Sequence, residues 1–111
     1  MDSVPTVMVS SLPDPLPAGV SILDVRENPE WEHGHIEGAQ HIPLMEIPAR
    51  LSELALDQTL VVCKMGARST TAVSFLQSRG IDAVNLAGGM LDWAAAGRPM
   101  VSENGQPARV V

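Results

Sequence analysis

The sequence predicts an α/β fold, a mostly parallel sheet with helices on both faces. Three observations lead there. Short apolar runs alternate with amphipathic stretches along the chain, the pattern of repeated strand–helix units. One run, Ser21-Ile22-Leu23-Asp24-Val25, is almost continuously apolar, as strands covered on both faces are. The chain has 111 residues, a length that suits one domain and not two.

Each element has a local reason. Thr6-Val7-Met8-Val9 is a short apolar run suited to an edge strand. Ser10 to Gly19 is broken by Pro13, Pro15 and Pro17 and reads as loop. After the strand Ser21 to Val25, Asn28-Pro29-Glu30 starts a helix. Asn caps it, Pro fits its first turn, and Glu30 and Glu32 suit its positive end. Gly34 stops it, and an irregular stretch runs to Leu44, with a brief strand at His41-Ile42. Pro48 opens a second helix that puts Leu51, Leu54 and Ala55 on one face. Thr59 to Val62 is the next strand. Ala67 to Arg79 is the strongest helix, with Ala72, Phe75, Leu76 and Arg79 at three- and four-residue spacing and Gly80 at its end. Ala83 to Leu86 is a further strand. Gly88-Gly89 turns into a last helix with Met90, Trp93 and Ala94 on one side and Gly97 as its stop. One domain therefore covers 1–101. Residues 102–111 read as a loosely attached tail, since Pro107 weakens the strand that the Asn104-Gly105 turn invites.

Composition narrows the function. Basic residues number 7 and acidic ones 13, a net charge of −6. An acidic chain without a basic cluster speaks against nucleic acid as a partner. No apolar stretch reaches the ~20 residues of a membrane span. The first residues, Met1-Asp2-Ser3-Val4-Pro5, lack the basic head and apolar run of a secretory leader. A single cysteine makes no internal disulfide, and a cytoplasmic setting is expected. With only Trp31, Phe75 and Trp93 as aromatics, the core must be aliphatic, and the two tryptophans are expected to anchor it.

The chemistry concentrates in Cys63-Lys64-Met65-Gly66-Ala67-Arg68-Ser69. This stretch joins a strand to a helix. Its amides can point inward as an anion nest, and the positive end of the next helix faces the same point. A thiol there ionises more readily, and the thiolate is the reactive form of cysteine. Gly66 supplies a backbone conformation that a side chain would block. The amides of Met65, Gly66, Ala67, Arg68 and Ser69 are the expected donors to a bound anion. Arg68 either contacts an oxyanion or braces the loop. Lys64 is placed to attract anionic donors, and Ser69 to cap the helix or donate its hydroxyl.

Several stretches, taken together, resemble the rhodanese-type sulfurtransferase family. They are Asp24-Val25-Arg26-Glu27 with Glu30-Trp31, Gly34-His35-Ile36-Glu37-Gly38-Ala39, His41-Ile42-Pro43-Leu44, the Cys63 to Ser69 loop, and Gly88-Gly89-Met90-Leu91-Asp92-Trp93. The resemblance covers about residues 6 to 101. It implies a five-stranded, mostly parallel rhodanese-like sheet. It also implies a cysteine that takes sulfane sulfur from a donor such as thiosulfate, forms a persulfide and hands it to a nucleophilic acceptor.

Other chemistries fit these residues less well. Cysteine phosphatases and arsenate reductases place five residues between Cys and Arg, whereas four intervene here. One residue changes the chain's reach by up to ~3.5 Å, so this loop suits a single sulfur better than a phosphoryl group. His33, His35 and His41 match no familiar zinc spacing, so no metal and no cofactor are expected. Asp24, Arg26 and Glu30 read as structural ion pairs and hydrogen bonds. With no second thiol, the acceptor must come from outside: a small thiol, cyanide or a partner protein. The expected protein is a monomeric thiosulfate sulfurtransferase serving a small anionic sulfur donor. The alternatives are a persulfide carrier and a non-catalytic interaction module.

Overall fold

The computed structural model describes residues 4–55 and 57–111. The reading of the first residues as free of a leader falls in part on 1–3, outside the described residues. Five strands form one sheet: β1 (Thr6–Val7), β2 (Val20–Asp24), β3 (Gln40–His41), β4 (Gln58–Val62) and β5 (Ala83–Leu86). Their spatial order is β1-β5-β4-β2-β3, and every pairing is parallel. β1 is an edge strand, as its short run predicts. The helices are α1 (Asn28–His33), α2 (Ala67–Ser78) and α3 (Gly89–Ala95).

Two apolar layers lie on the two sides of the sheet, and the alternation along β4 separates them. Val61 and Cys63 join Leu23, Val25 and the inner face of α2, including Ala72, Val73 and Leu76. Leu60 and Val62 join Leu86, Met90 and Trp93. A parallel sheet of this kind needs both coverings, because its strands have no solvent-facing side.

Local details depart from the sequence reading. The helix expected to open at Pro48 is a pair of 3-10 segments, Leu44–Ala49 and Leu51–Glu53, with Pro48 inside the first. Proline lacks the N–H that an α-helix interior needs, and the shorter segments still turn Ile47 into the core. Asn28 is not the cap of α1. Glu27 is: its carboxylate accepts from the Glu30 amide while the Glu30 carboxylate accepts from the Glu27 amide, a reciprocal capping box. The inner face of α2 carries Ser69, Ala72, Val73 and Leu76. Arg79 is exposed, with its guanidinium 5.1 Å from the Phe75 ring centroid. On α3, Met90 and Trp93 are buried but Ala94 is exposed. Trp93 anchors the core. Trp31 is only half-buried, and stacks with the rings of His35 at 3.5 Å and His41 at 4.7 Å.

Residues 102–111, expected to hang loosely, lie back along α1. The Glu103 amide donates to Glu32 O at 2.9 Å and the Arg109 amide to His33 O at 3.0 Å. Val101 bridges antiparallel to His35, and Val110 packs against the layer around Trp93. These backbone bonds satisfy the carbonyls that the end of α1 leaves without helical partners. That use of a helix end has no periodic trace in the sequence.

Candidate functional site

The site lies beyond the carboxyl end of β4, where open α/β sheets bind ligands. β4 ends at Val62, Cys63 follows, and the chain turns at Gly66 into α2. Gly66 has φ 114°, a conformation that L side chains rarely adopt. It swings the backbone so that its own N–H faces back to the sulfur. The Gly66 amide donates to Cys63 Sγ at 3.0 Å. Ser69 Oγ lies 3.3 Å from the same sulfur, one turn into α2.

These contacts decide the electrostatics. Burial alone raises the thiol pKa, yet the Ser69 hydroxyl and the amides of Ser69, Gly66 and Met65 outweigh it and hold the pKa below the ordinary value of 9.0. The N-terminal end of α2 adds a favourable field for the anion. Of the expected amide donors, that of Gly66 makes the hydrogen bond to the sulfur, and those of Met65 and Ser69 add to the lowering of its pKa. Ala67 is exposed as the first residue of α2, and Met65 is 67% exposed on the outer side of the loop.

Arg68 does not reach into the cradle as a free cation. Its Nη1 and Nη2 donate to the two carboxylate oxygens of Glu30 at 2.7 and 2.9 Å. Of the two roles open to it, the geometry is that of a brace tying α2 to α1. Paired hydrogen bonds from Arg68, strengthened by the Glu27 amide, outweigh the effect of burial and hold the Glu30 carboxyl down to about 2. Lys64 is half-buried, and its carbonyl accepts from the Leu91 amide at 3.1 Å.

The sulfur itself is covered. Cys63 is only 1% exposed. A donor can reach Sγ only if the loop that covers it moves.

A buried polar cluster lies at the neighbouring strand end. Asp24 and Arg26 form a wholly buried pair at the end of β2, with Arg26 Nη2 2.6 Å from Asp24 Oδ2 and 2.8 Å from Gly34 O. The structural reading of Asp24, Arg26 and Glu30 agrees with these contacts. The imidazoles are engaged with backbone carbonyls: His33 Nδ1 with Pro29 O, His35 Nδ1 with Trp31 O and His41 Nε2 with Arg26 O.

Two contributors escaped the sequence reading. The first is the start of α3, where the Met90 amide donates to Cys63 O at 2.8 Å. A Cβ built on Gly89 would come within 2.2 Å of Cys63 O, so glycine there lets α3 reach the loop backbone. The Gly88-Gly89 doublet is a visible signal of close approach. The second is Asn85, a buried polar residue on β5 whose Oδ1 lies 2.5 Å from Ser69 Oγ. A polar residue inside the apolar run Ala83 to Leu86 is the only mark it leaves.

Comparison with known proteins agrees with this architecture. The family model for the rhodanese-like domain matches residues 9–96. A sulfurtransferase of Allochromatium vinosum is 39% identical over 88 residues, covering 78% of this chain and 82% of that one. The Mycobacterium tuberculosis protein named "Probable adenylyltransferase/sulfurtransferase MoeZ" is 39% identical over 100 residues, covering 85% of this chain and 26% of the larger protein. The crystal structure of a rhodanese-related protein from Thermoplasma volcanium superposes with a TM-score of 0.81 at 31% identity, covering 87% of this chain and 97% of that one. With its all-parallel sheet and a single cysteine turned into a loop of inward amides, this chain belongs to the rhodanese-like domain family.

Proposed function

We propose that the protein is a sulfurtransferase that carries sulfane sulfur on Cys63. The observation behind this reading is the sulfur's setting: a thiol held below its ordinary pKa by Gly66, Ser69 and the start of α2. The Cys63 thiolate attacks the outer sulfur of the donor. A new S–S bond forms, and the donor's own bond to that sulfur breaks. With thiosulfate, the pair of electrons leaves on sulfite. With a persulfide donor, it leaves on a thiolate. The Cys63 persulfide anion then presents its terminal sulfur to an external thiol or to cyanide, and that acceptor's attack returns the thiolate. The sulfurtransferase relatives of similar size support this class of reaction.

In this reading Met65, Gly66 and Ser69 bind the sulfur, Ala67 starts the helix that stabilises it, and Lys64 draws anionic donors toward the loop. Arg68 acts from behind, through Glu30. That engagement favours a second arm of the reading. With the guanidinium occupied, an oxyanion donor has only Lys64 as a nearby cation on the loop, and a persulfide donor on a small thiol or a partner protein loses nothing. A persulfide relay is therefore the specific alternative to thiosulfate turnover.

Steady-state turnover with thiosulfate and cyanide, beside single-turnover loading from a persulfide donor, separates the two. Efficient turnover with thiosulfate identifies the enzyme acting on free donor. Rapid loading from persulfide with poor thiosulfate turnover identifies the relay. Absence of sulfur uptake from either donor overturns the proposal.

A further inference from the structure

The Ser69 hydroxyl has one proton and three neighbours able to bond with it. Cys63 Sγ lies at 3.3 Å, Gly66 O at 3.1 Å and Asn85 Oδ1 at 2.5 Å. A hydroxyl donates once and accepts through its lone pairs. Asn85 Oδ1 and Gly66 O both compete with the sulfur for that one proton, and while Asn85 Oδ1 holds it Ser69 offers the sulfur only a lone pair. That arrangement suits a neutral thiol, whose S–H can point at Ser69 Oγ. It does not suit a thiolate, which must receive a proton donor.

A half-turn of the Asn85 amide exchanges Oδ1 and Nδ2 with almost no change in shape. Nδ2–H then donates to Ser69 Oγ, and the Ser69 O–H is freed from Asn85 and turns to the sulfur once that is an anion, which outcompetes the neutral Gly66 O. Asn85 is positioned for this, since its strand is fixed on both sides. It pairs with Thr6 of β1 and Val61 of β4, and its side chain is buried.

We propose that Asn85 is a positioning residue whose amide orientation sets whether Ser69 accepts from Cys63 or donates to it. The inference rests on the reading of Cys63 as the sulfur carrier. In the neutral state the chain of bonds runs from Cys63 to Ser69 to Asn85. When the thiol proton leaves to solvent, the chain reverses and runs from Asn85 to Ser69 to Cys63. The Gly66 amide donates to the sulfur in both states. The same reversed chain serves the persulfide, which is also an anion.

Other charged groups around the sulfur stay constant across the comparison that tests this. They are Lys64 on the loop, Arg68 on α2 with Glu30 on α1, Glu27 before α1, and the Asp24–Arg26 pair on β2. The rate at which iodoacetamide alkylates Cys63, measured against pH, reports thiolate formation. Asn85→Asp leaves only acceptor oxygens facing Ser69 and holds the hydroxyl proton away from the sulfur. It is expected to move the alkylation profile to higher pH and slow the reaction at neutral pH by at least roughly tenfold, through the loss of one hydrogen bond to an anion and the added charge. In a Ser69→Ala background only the added charge acts, and the same change should slow the reaction by a clearly smaller factor. An equal loss in both backgrounds, or none in either, overturns the proposal.

A second measurement needs no variant of Asn85. In the 15N-labelled protein, the Asn85 side-chain amide resonances should titrate at the midpoint of Cys63 alkylation and stay flat in Cys63→Ser. Resonances that ignore that midpoint overturn the proposal. Alkylation does not depend on sulfur transfer. A protein that takes up no sulfur would therefore fail the functional reading while its alkylation profile still tested the role of Asn85.

Discussion

Glu30 and Arg68 stand 38 positions apart in the chain and meet through two hydrogen bonds. Of the two roles open to an arginine beside the cysteine, the pair favours the brace. With two of its five N–H donors and its charge engaged by a carboxylate, this guanidinium is a weaker partner for a passing oxyanion than a free one. Arg68→Ala should therefore slow loading from thiosulfate and from a neutral persulfide by similar factors. A selective loss with thiosulfate would return Arg68 to the role of donor ligand. The same substitution should cost about 1–2 kcal/mol of stability after allowing for solvent screening, read from urea unfolding. Its pH dependence has a defined sign. The Glu30 carboxyl is depressed from 4.5 to about 2, so its contribution is complete above about pH 4.5 and is lost as the pH falls toward 2. Wild-type and Arg68→Ala stabilities should converge across that window; a constant gap would contradict the assignment.

At the scale of elements, the loop is held by two helices that do different things. α2 turns its start toward the sulfur and supplies Ser69. α3 donates its first amides to the carbonyls of Cys63 and Lys64, and so fixes the backbone from which the sulfur hangs. Gly89 makes that approach feasible at φ 54°. Gly89→Ala should cost at least about 2 kcal/mol, since the new Cβ meets backbone and the left-handed conformation is strained. Alkylation of Cys63 should lose its low-pH reactivity along with it. An alanine variant with unchanged stability and pH profile would show that α3 does not hold the loop.

The elements also show what the sequence makes legible. The strands, α2 and the cysteine loop are readable because each has a local signature: apolar runs, three- and four-residue spacing, a glycine beside a lone cysteine. The Glu27–Glu30 capping box is readable too, but the proline beside it draws the cap to Asn28. The segment around Pro48 looks helical because its leucines suit one face, yet it forms two short 3-10 turns with Pro48 inside the first. Asn85 and the Glu30–Arg68 pair leave little trace, because their partners are set by which strands and helices become neighbours. No spacing rule connects residue 85 to residue 69.

Across the whole molecule, the sheet's two layers meet at the site from opposite sides. Cys63 belongs to the layer under α2, and the residues after it are tied to α3 in the other layer. The final segment adds to the second layer through Val110 and binds the end of α1, the helix that carries Glu30. Removing residues 102–111 should therefore lower stability by about 1–2 kcal/mol, from lost apolar burial and unpartnered carbonyls. A shortened chain with an unchanged urea midpoint would restore the picture of a loose tail.

The functional reading of this protein depends on Cys63 taking up one added sulfur. Intact-mass measurement after exposure to a persulfide donor tests that most directly, with Cys63→Ser in parallel. The wild type should gain a single sulfur, reversed by a reductant and absent from the serine variant. A wild-type mass that does not change at any donor concentration, or a gain that persists in Cys63→Ser, would contradict it.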